Sequence, residues 1–273
     1  MIEKLAENLV NLKKEFALKY EGNSQIQEII PILKSESFPV DQDKLNLLHE
    51  FATRNPICYN SFEKIIDDTS CIVYEGDINK YWLNSIQHDS SHAPFSPTWI
   101  MSGYILSLFA KENGYSEIID IGSGDGRIAY CSKILGMESY SVELDNMLVD
   151  LQKSLTDDVN FNPICSDAVQ LDYSSLKLTK PLFFIGGLAQ MGGLELATGV
   201  LNKIKSDSNL WRDAGWIFAG TLSKKYPADL KNNAGWGSFI ENNSLQYIQN
   251  ISLPTAWSFH ESDETQYVFA KSL

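Results

Sequence analysis

The sequence predicts an α/β protein: a mixed, mostly parallel seven-stranded sheet covered by helices on both faces and preceded by a helical N-terminal segment. Three observations lead there. Apolar residues recur at helical spacing from residue 1 to about 70, short apolar runs then alternate with helical patterns, and a glycine-rich turn follows the first of those runs. With 273 residues, 44% of them hydrophobic and 21% charged, the chain can bury a full core.

Taken in order, Ile2, Leu5, Leu9, Leu12 and Phe16 make a first amphipathic stripe, Ile26, Ile29, Ile30 and Leu33 a second, and Leu45, Leu48 and Phe51 a third. Breaks near Gly22 and at Ser37 to Pro39 separate two or three helices. The stretch DSSHAPFSP, from Asp89 to Pro97, has the Ser and Pro content of a connection and divides residues 1–92, a helical subdomain, from residues 93–273. Trp99 to Phe109 reads as a helix through Met101, Tyr104, Ile105 and Leu108. The predicted strands are Glu117 to Ile121, Ser139 to Glu143, Asn160 to Cys165, Leu182 to Ile185, Trp216 to Thr221, Leu245 to Leu253 and Gln266 to Lys271. Helices fit the first four gaps. One buries Ile128, Cys131, Ile134 and Leu135 and is closed by Gly136; another carries Met147, Leu148 and Leu151 behind Asp145 as N-cap. The last two strands have no helix between them and pair antiparallel. Glu241, Asn242 and Asn243 read as a turn.

Charge and cysteine usage narrow the function. Lys plus Arg total 22 against 35 Asp plus Glu, a net charge of -13, which repels phosphate backbones and favours a basic partner. The first 90 residues hold 9 of the former and 15 of the latter. Cys58, Cys71, Cys131 and Cys165 form no C-x-x-C pair, which suits free thiols in a reducing compartment. No apolar run reaches the ~20 residues of a membrane span, and charges interrupt the N-terminus where a signal peptide would need an apolar core. The expected location is cytoplasmic.

The chemistry concentrates in IIDIGSGDGRI, Ile118 to Ile128. Apolar residues around Asp120 make a buried strand, and Gly122, Gly124 and Gly126 allow a tight turn, so that N–H groups at the start of the following helix can face a ligand. Glu143 ends the next strand 21 residues after Gly122, where a carboxylate can accept both hydroxyls of a ribose. A dinucleotide site needs G-x-G-x-x-G/A. Here the third glycine comes one residue early, position 127 is Arg, and Asp120 and Asp125 would meet a pyrophosphate with like charge. S-adenosylmethionine, with a cationic sulfonium and a zwitterionic tail, gains from those carboxylates instead.

IIDIGSGDGRI followed by SVELD resembles the class I S-adenosylmethionine-dependent methyltransferases, which implies a Rossmann-like seven-stranded sheet. With APFSPT upstream, the chain looks like the archaeal protein-lysine methyltransferases of the non-SET type over about residues 93 to 222. The resemblance implies that Asp120, Gly122 and Gly124 hold the methionine portion, with Ser123 among the cofactor-binding residues, and Glu143 the ribose. It implies that Asp167 accepts from the adenine amino group beside Ala168, that Thr98 lies near the methionine carboxylate, and that Ile185 and Gly186, continuing to Gly187, line the methyl-transfer channel. Relatives tend to carry Tyr where this chain has Phe95, so a hydroxyl that would orient the acceptor is missing there. FIGGL replaces an N-P-P-Y-type segment after the fourth strand, which disfavours amino groups of adenine or glutamine as acceptors.

No dedicated catalytic side chain stands out. The leading acceptor is a lysine side chain of a basic protein; a small molecule, RNA, or a cofactor-binding scaffold without turnover are the other readings. His88 and His92 read as loop residues and not as metal ligands, Trp211, Trp216, Trp236 and Trp257 as packing, and Lys224 and Lys225 as solvated residues near the edge where substrates bind.

Overall fold

The computed structural model describes residues 2–77, 97–155, 159, 161–189, 192–222, 235–255 and 264–273. The first and third predicted stripes are helices. In α1 (Ile2–Ala17) the residues Leu5, Leu9, Leu12 and Phe16 are buried, and in α2 (Gln42–Arg54) Leu45, Leu48 and Phe51 are.

The second stripe is not a helix. Strands β1 (Ile26–Pro31), β2 (Cys58–Ile66) and β3 (Thr69–Gly76) form an antiparallel sheet in the order β1-β3-β2, so the purely helical reading of the N-terminal segment is corrected to two helices and three strands. All six residues of β1 are buried, and a strand covered on both sides loses the alternation that would separate it from a helix. Leu33, the last residue of the supposed stripe, is 64% exposed. A readable signal was present at Asp67 and Asp68, whose φ angles of 44° and 60° make the two-residue turn of the β2–β3 hairpin between Ile66 and its partner Thr69. The expected boundary at 92/93 lies outside the described residues.

From α3 (Ile100–Glu112) onward the expected α/β pattern holds. The strands β4 (Glu117–Ile121), β5 (Glu138–Glu143), β6 (Asn162–Cys165), β7 (Pro181–Ile185), β8 (Gly215–Ala219), β9 (Leu245–Pro254) and β10 (Glu264–Ser272) make one sheet in the order β6-β5-β4-β7-β8-β10-β9. Strands β4 to β8 run parallel to one another, and β10 is antiparallel to both β8 and β9. This is the expected Rossmann-like seven-stranded α/β sheet, with helices α4 (Arg127–Ile134) and α5 (Asn146–Leu155) in the first two gaps and α6 (Gly193–Lys205) and α7 (Ser208–Asp213) in the fourth.

The helix expected in the third gap is absent. A single 3₁₀ turn, Tyr173–Leu176, stands there: Asp172 accepts the Ser174 N–H at 3.1 Å and its hydroxyl at 2.6 Å, and Lys177, at φ 54°, turns the chain back before an α-helix can propagate. Glu241 and Asn242 end a short helix, α8 (Gly237–Asn242), and do not form a free turn. The caps read from sequence are real. The Met147 N–H donates to Asp145 Oδ1 at 2.8 Å, and after α4 Gly136, at φ 82°, takes a left-handed turn with Gly136 N–H on the Lys133 carbonyl and Met137 N–H on that of Ser132. In α5 the buried face is Val149, Gln152 and Leu155, whereas Met147, expected inside, is 48% exposed.

The core lies on both faces of the large sheet. Helices α1, α2, α3 and α4 pack with β1 and β3 over one face, where Ile118, Leu182, Phe184, Ile217 and Phe269 point; α6, α7 and α8 cover the other, which receives Ile119, Ile121, Phe183, Trp216 and Phe218. Of the tryptophans read as packing, Trp216 and Trp236 are fully buried and Trp211 packs partly buried against the second face; Trp257 lies outside the described residues.

Candidate functional site at the carboxyl edge

Parallel register brings the sequence-predicted residues together. Ile121 stands beside Val142 and Ile185, and Glu143 beside Cys165, so the chain leaves β4, β5, β6 and β7 at one edge with Gly122, Glu143, Asp167 and Gly186 side by side. That edge, outside the carboxyl ends of parallel strands, is where open α/β sheets bind ligands.

The loop is tightly specified. Gly122, Gly124 and Gly126 have φ of 68°, 56° and 77°, a region costly for other residues, and a Cβ on Gly126 would stand 2.8 Å from Phe161 Cζ. Within the turn itself most N–H groups are bonded inside the protein. Gly122 and Ser123 donate to the Val142 carbonyl at 2.9 and 3.2 Å, Gly126 to that of Ser123 at 2.9 Å, and Gly124 to Glu143 Oε2 at 2.8 Å. Arg127 N–H donates weakly to Asp125 Oδ1 at 3.3 Å. These donors are consumed within the protein, where the turn threads between β5 and the start of α4. What it presents instead is carboxylate.

Three acids define the electrostatics. Asp120 is buried, and its Oδ2 has no hydrogen-bond partner. Burial first, then the charges of Asp125 and Glu143, hold its pKa well above the usual carboxylate range, against the pull of the Ala129 N–H and Arg127. Glu143 is also raised by burial, opposed by the N–H groups of Asp145, Gly124 and Leu144. Its Oε1 accepts from Leu144 at 2.8 Å and Asp145 at 3.1 Å, which fixes the carboxylate while Oε2, which accepts from Gly124, keeps a lone pair. Asp125 is saturated by Arg127 and Asn55.

The other predicted residues fall around this centre. Asp167 is exposed at the end of β6, where Oδ1 accepts the Val169 N–H at 2.8 Å, a turn role beside its expected one. Ala168 is buried, and its carbonyl accepts from Tyr173 at 2.8 Å. Ile185 buries its side chain fully in the second core, so only Gly186, which is exposed, opens at the edge. Thr98 is joined to the loop through its carbonyl, which accepts from Arg127 Nη1 at 2.5 Å, and its hydroxyl lies 3.1 Å from that of Tyr267. Burial pushes the Tyr267 phenol up to about 12, so it stays protonated at neutral pH.

Sequence reading missed Gln152. It is fully buried and its Nε2 donates to Ser123 Oγ at 2.9 Å and the Gly124 carbonyl at 2.8 Å, while Oε1 accepts from Ser141 at 2.5 Å. The available signal was a Gln on the inward face of a helix, three residues from Val149 and from Leu155. Glu28 and Asn55 were missed as partners because they come from distant segments.

The four cysteines are free thiols, and among the described residues no His, Cys, Asp and Glu cluster could hold a metal. His88, His92, Phe95, Lys224 and Lys225 lie outside the described residues. No described helix is long and apolar enough to cross a membrane. A polar cleft of about 440 Å³ lies between Leu171–Ser174 and the ends of α6 and α7; none of the predicted site residues lines it.

No protein-family model and no curated protein matches the chain. Among solved structures it is similar to the CcbJ methyltransferase of Streptomyces caelestis, at 11% identity over 63% of this chain and 89% of that one, with a TM-score of 0.46. It is similar also to the magnesium protoporphyrin IX methyltransferase of Synechocystis PCC 6803 with bound SAH, at 10% identity over 67% and 91% with a TM-score of 0.42. A third is the ribosomal protein L11 methylase of Lactobacillus delbrueckii subsp. bulgaricus, at 14% identity over 63% and 80% with a TM-score of 0.40.

Proposed function

We propose that this chain is an S-adenosylmethionine-dependent methyltransferase acting on lysine side chains of a basic protein in the cytoplasm. The observation that carries the cofactor is the loop itself: the N–H groups of Gly122, Ser123, Gly124 and Gly126 are spent internally, and buried Asp120, with an unpartnered oxygen, stands behind it. A pyrophosphate needs free donors and finds carboxylates; a sulfonium cation and an ammonium group are stabilised by them. The bound cofactor supplies an electrophilic methyl group.

The chain's residues hold and orient. Glu143 would take the ribose through the remaining lone pair of Oε2, Asp167 beside Ala168 the adenine amino group, and Asp120, Gly122, Ser123 and Gly124 the methionine portion, with Thr98 near its carboxylate. Gly186, which follows buried Ile185 at the strand end, would line the channel through which the acceptor enters. Alignment of nucleophile and methyl group at about 3 to 3.5 Å then supplies most of the rate. The division into residues 1–92 and 93–273 belongs to the same proposal, with β1 to β3 added to the helices of the first part. The lysine acceptor is supported by the FSPT-type resemblance and the net charge of -13, which attracts a basic substrate.

The test is incubation with methyl-labelled cofactor and a lysate, followed by separation into protein, RNA and small molecules. Label on protein lysine is expected, with a rate climbing about tenfold per pH unit, since an unperturbed lysine has a pKa of about 10.4. Label only in RNA or a metabolite rejects the lysine assignment and leaves the cofactor site standing. S-adenosylhomocysteine at 100 times its Kd should add about 2.7 kcal/mol of stability. Binding without any labelled product would mark a scaffold.

A further inference from the structure

Arg127 follows the last glycine of the loop, and its guanidinium is buried with both of its acidic partners, at 4% exposure against 4% for Glu28 and 0% for Asp125. Nε and Nη2 donate to Asp125 at 2.9 and 2.6 Å. Nη1 donates to Glu28 Oε1 and, at 2.5 Å, to the Thr98 carbonyl. Glu28 comes from the middle of β1, and its second oxygen accepts the Ile100 N–H at the start of α3 at 2.8 Å. Asn55, which ends α2, donates from Nδ2 to Asp125 at 2.8 Å, and the Phe51 ring lies 5.9 Å from the guanidinium. Four segments distant in sequence thus meet on one cation. Burial opposes its charge, but Asp125 and Glu28 outweigh burial and raise its pKa.

Such a network is a weak source of stability, because desolvating three charges offsets most of their attraction and apolar replacements often do as well. Its strength is geometric: a planar fork with every acceptor assigned allows one arrangement. That arrangement sets Asp125, which lies between Gly124 and Gly126, and Thr98, whose hydroxyl meets Tyr267. It therefore sets the path of the loop whose Gly124 N–H meets Glu143.

We propose that Glu28 and Arg127 are positioning residues: through Glu28 the N-terminal sheet holds Arg127, and with it the glycine loop and Thr98, in the arrangement that binds the cofactor. The N-terminal segment is then part of the cofactor site and not a detachable cover. This rests on the cofactor reading above.

The test uses the full chain. Glu28→Gln keeps size and one acceptor, and Arg127→Lys keeps the charge without the fork. With native far-UV circular dichroism verified, S-adenosylhomocysteine should bind each variant at least about tenfold more weakly by calorimetry. A lowered Tm with unchanged Kd would make the network a structural strut and overturn the proposal. Because a variant can unfold, hydrogen exchange of the wild type is measured as well: ligand should slow exchange in residues 26–31 together with residues 120–127, and slowing confined to 120–127 overturns the coupling. Should the wild type bind no S-adenosylhomocysteine, the cofactor reading fails by itself. Ligand-free exchange of residues 120–127 in Glu28→Gln then decides, faster exchange supporting the positioning role and unchanged exchange rejecting it.

Discussion

Along β4, Ile119 and Ile121 point into one face of the sheet while Ile118 and Asp120 point into the other, and the two faces hold different interiors. Under α6, α7 and α8 the interior is aromatic: Phe183 stacks on Trp216 at 4.9 Å, Phe218 on Trp236 at 4.5 Å, and Phe239 meets Trp236 edge-on at 5.5 Å. At the carboxyl end of the opposite face the interior holds Glu28, Asp120, Asp125, Arg127 and Gln152, all buried. Alternate residues of one strand thus serve two ends. The aromatic face buries area; the charged face keeps Asp120 at a desolvation cost that raises its pKa and that a neighbouring positive charge would offset.

The comparison breaks most visibly at Trp216. Its ring is fully buried and its N–H donates to Ser272 at 3.2 Å, so Trp216→Ala should cost about 3–5 kcal/mol in urea denaturation while the Kd for S-adenosylhomocysteine per folded molecule stays at the wild-type value. A parallel loss of affinity would mean that the aromatic face shapes the site after all. Glu143→Ala should reverse the pattern, weakening the cofactor by about 1.5–3 kcal/mol through lost charge-assisted hydrogen bonds. Wild-type affinity in that variant would remove Glu143 from the site.

Asp120 sharpens the contrast through pH. Its native pKa lies above the unfolded value of about 3.9, so the native state binds more protons, and its contribution to stability is present below that value and lost as pH rises through the native pKa. Asp120→Asn should therefore melt higher than wild type by a margin that widens with pH. The same substitution should lower affinity for cationic S-adenosylmethionine about tenfold, or 1.4 kcal/mol, and affect the neutral sulfur of S-adenosylhomocysteine less. Equal losses for both ligands would show that charge is not what Asp120 contributes. The smallest effect is expected at Gly136, where a Cβ meets nothing within 4 Å but φ is 82°; Gly136→Ala should cost about 1 kcal/mol with no change in Kd.

The large sheet was legible because each strand is a short apolar run ended by a turn residue, and Glu117 to Ile121 matches β4 residue for residue. The loop and Glu143 were legible because glycines at close spacing and an acid at a strand end are local signals. The N-terminal sheet was not. Ile26, Ile29 and Ile30 fit a helical stripe as well as a strand buried on both sides, and only pairing with Ile72, Val73 and Gly76 of β3 decides between them. Gln152 sat unnoticed on a helix face because its partners, Ser123, Gly124 and Ser141, are brought to it by the sheet.

The sequence by itself determined the α/β class, the seven strands, the glycine turn and the acid that faces it, since each depends on neighbours within a few residues or on one repeated period. Only the tertiary structure decided that the loop glycines spend their N–H groups, that Asp120 Oδ2 stays unpartnered, and that Arg127 is held by Glu28, 99 residues away. The reason is that a buried polar group takes its partner from whatever segment the packed core carries next to it, and no local pattern records which segment that is.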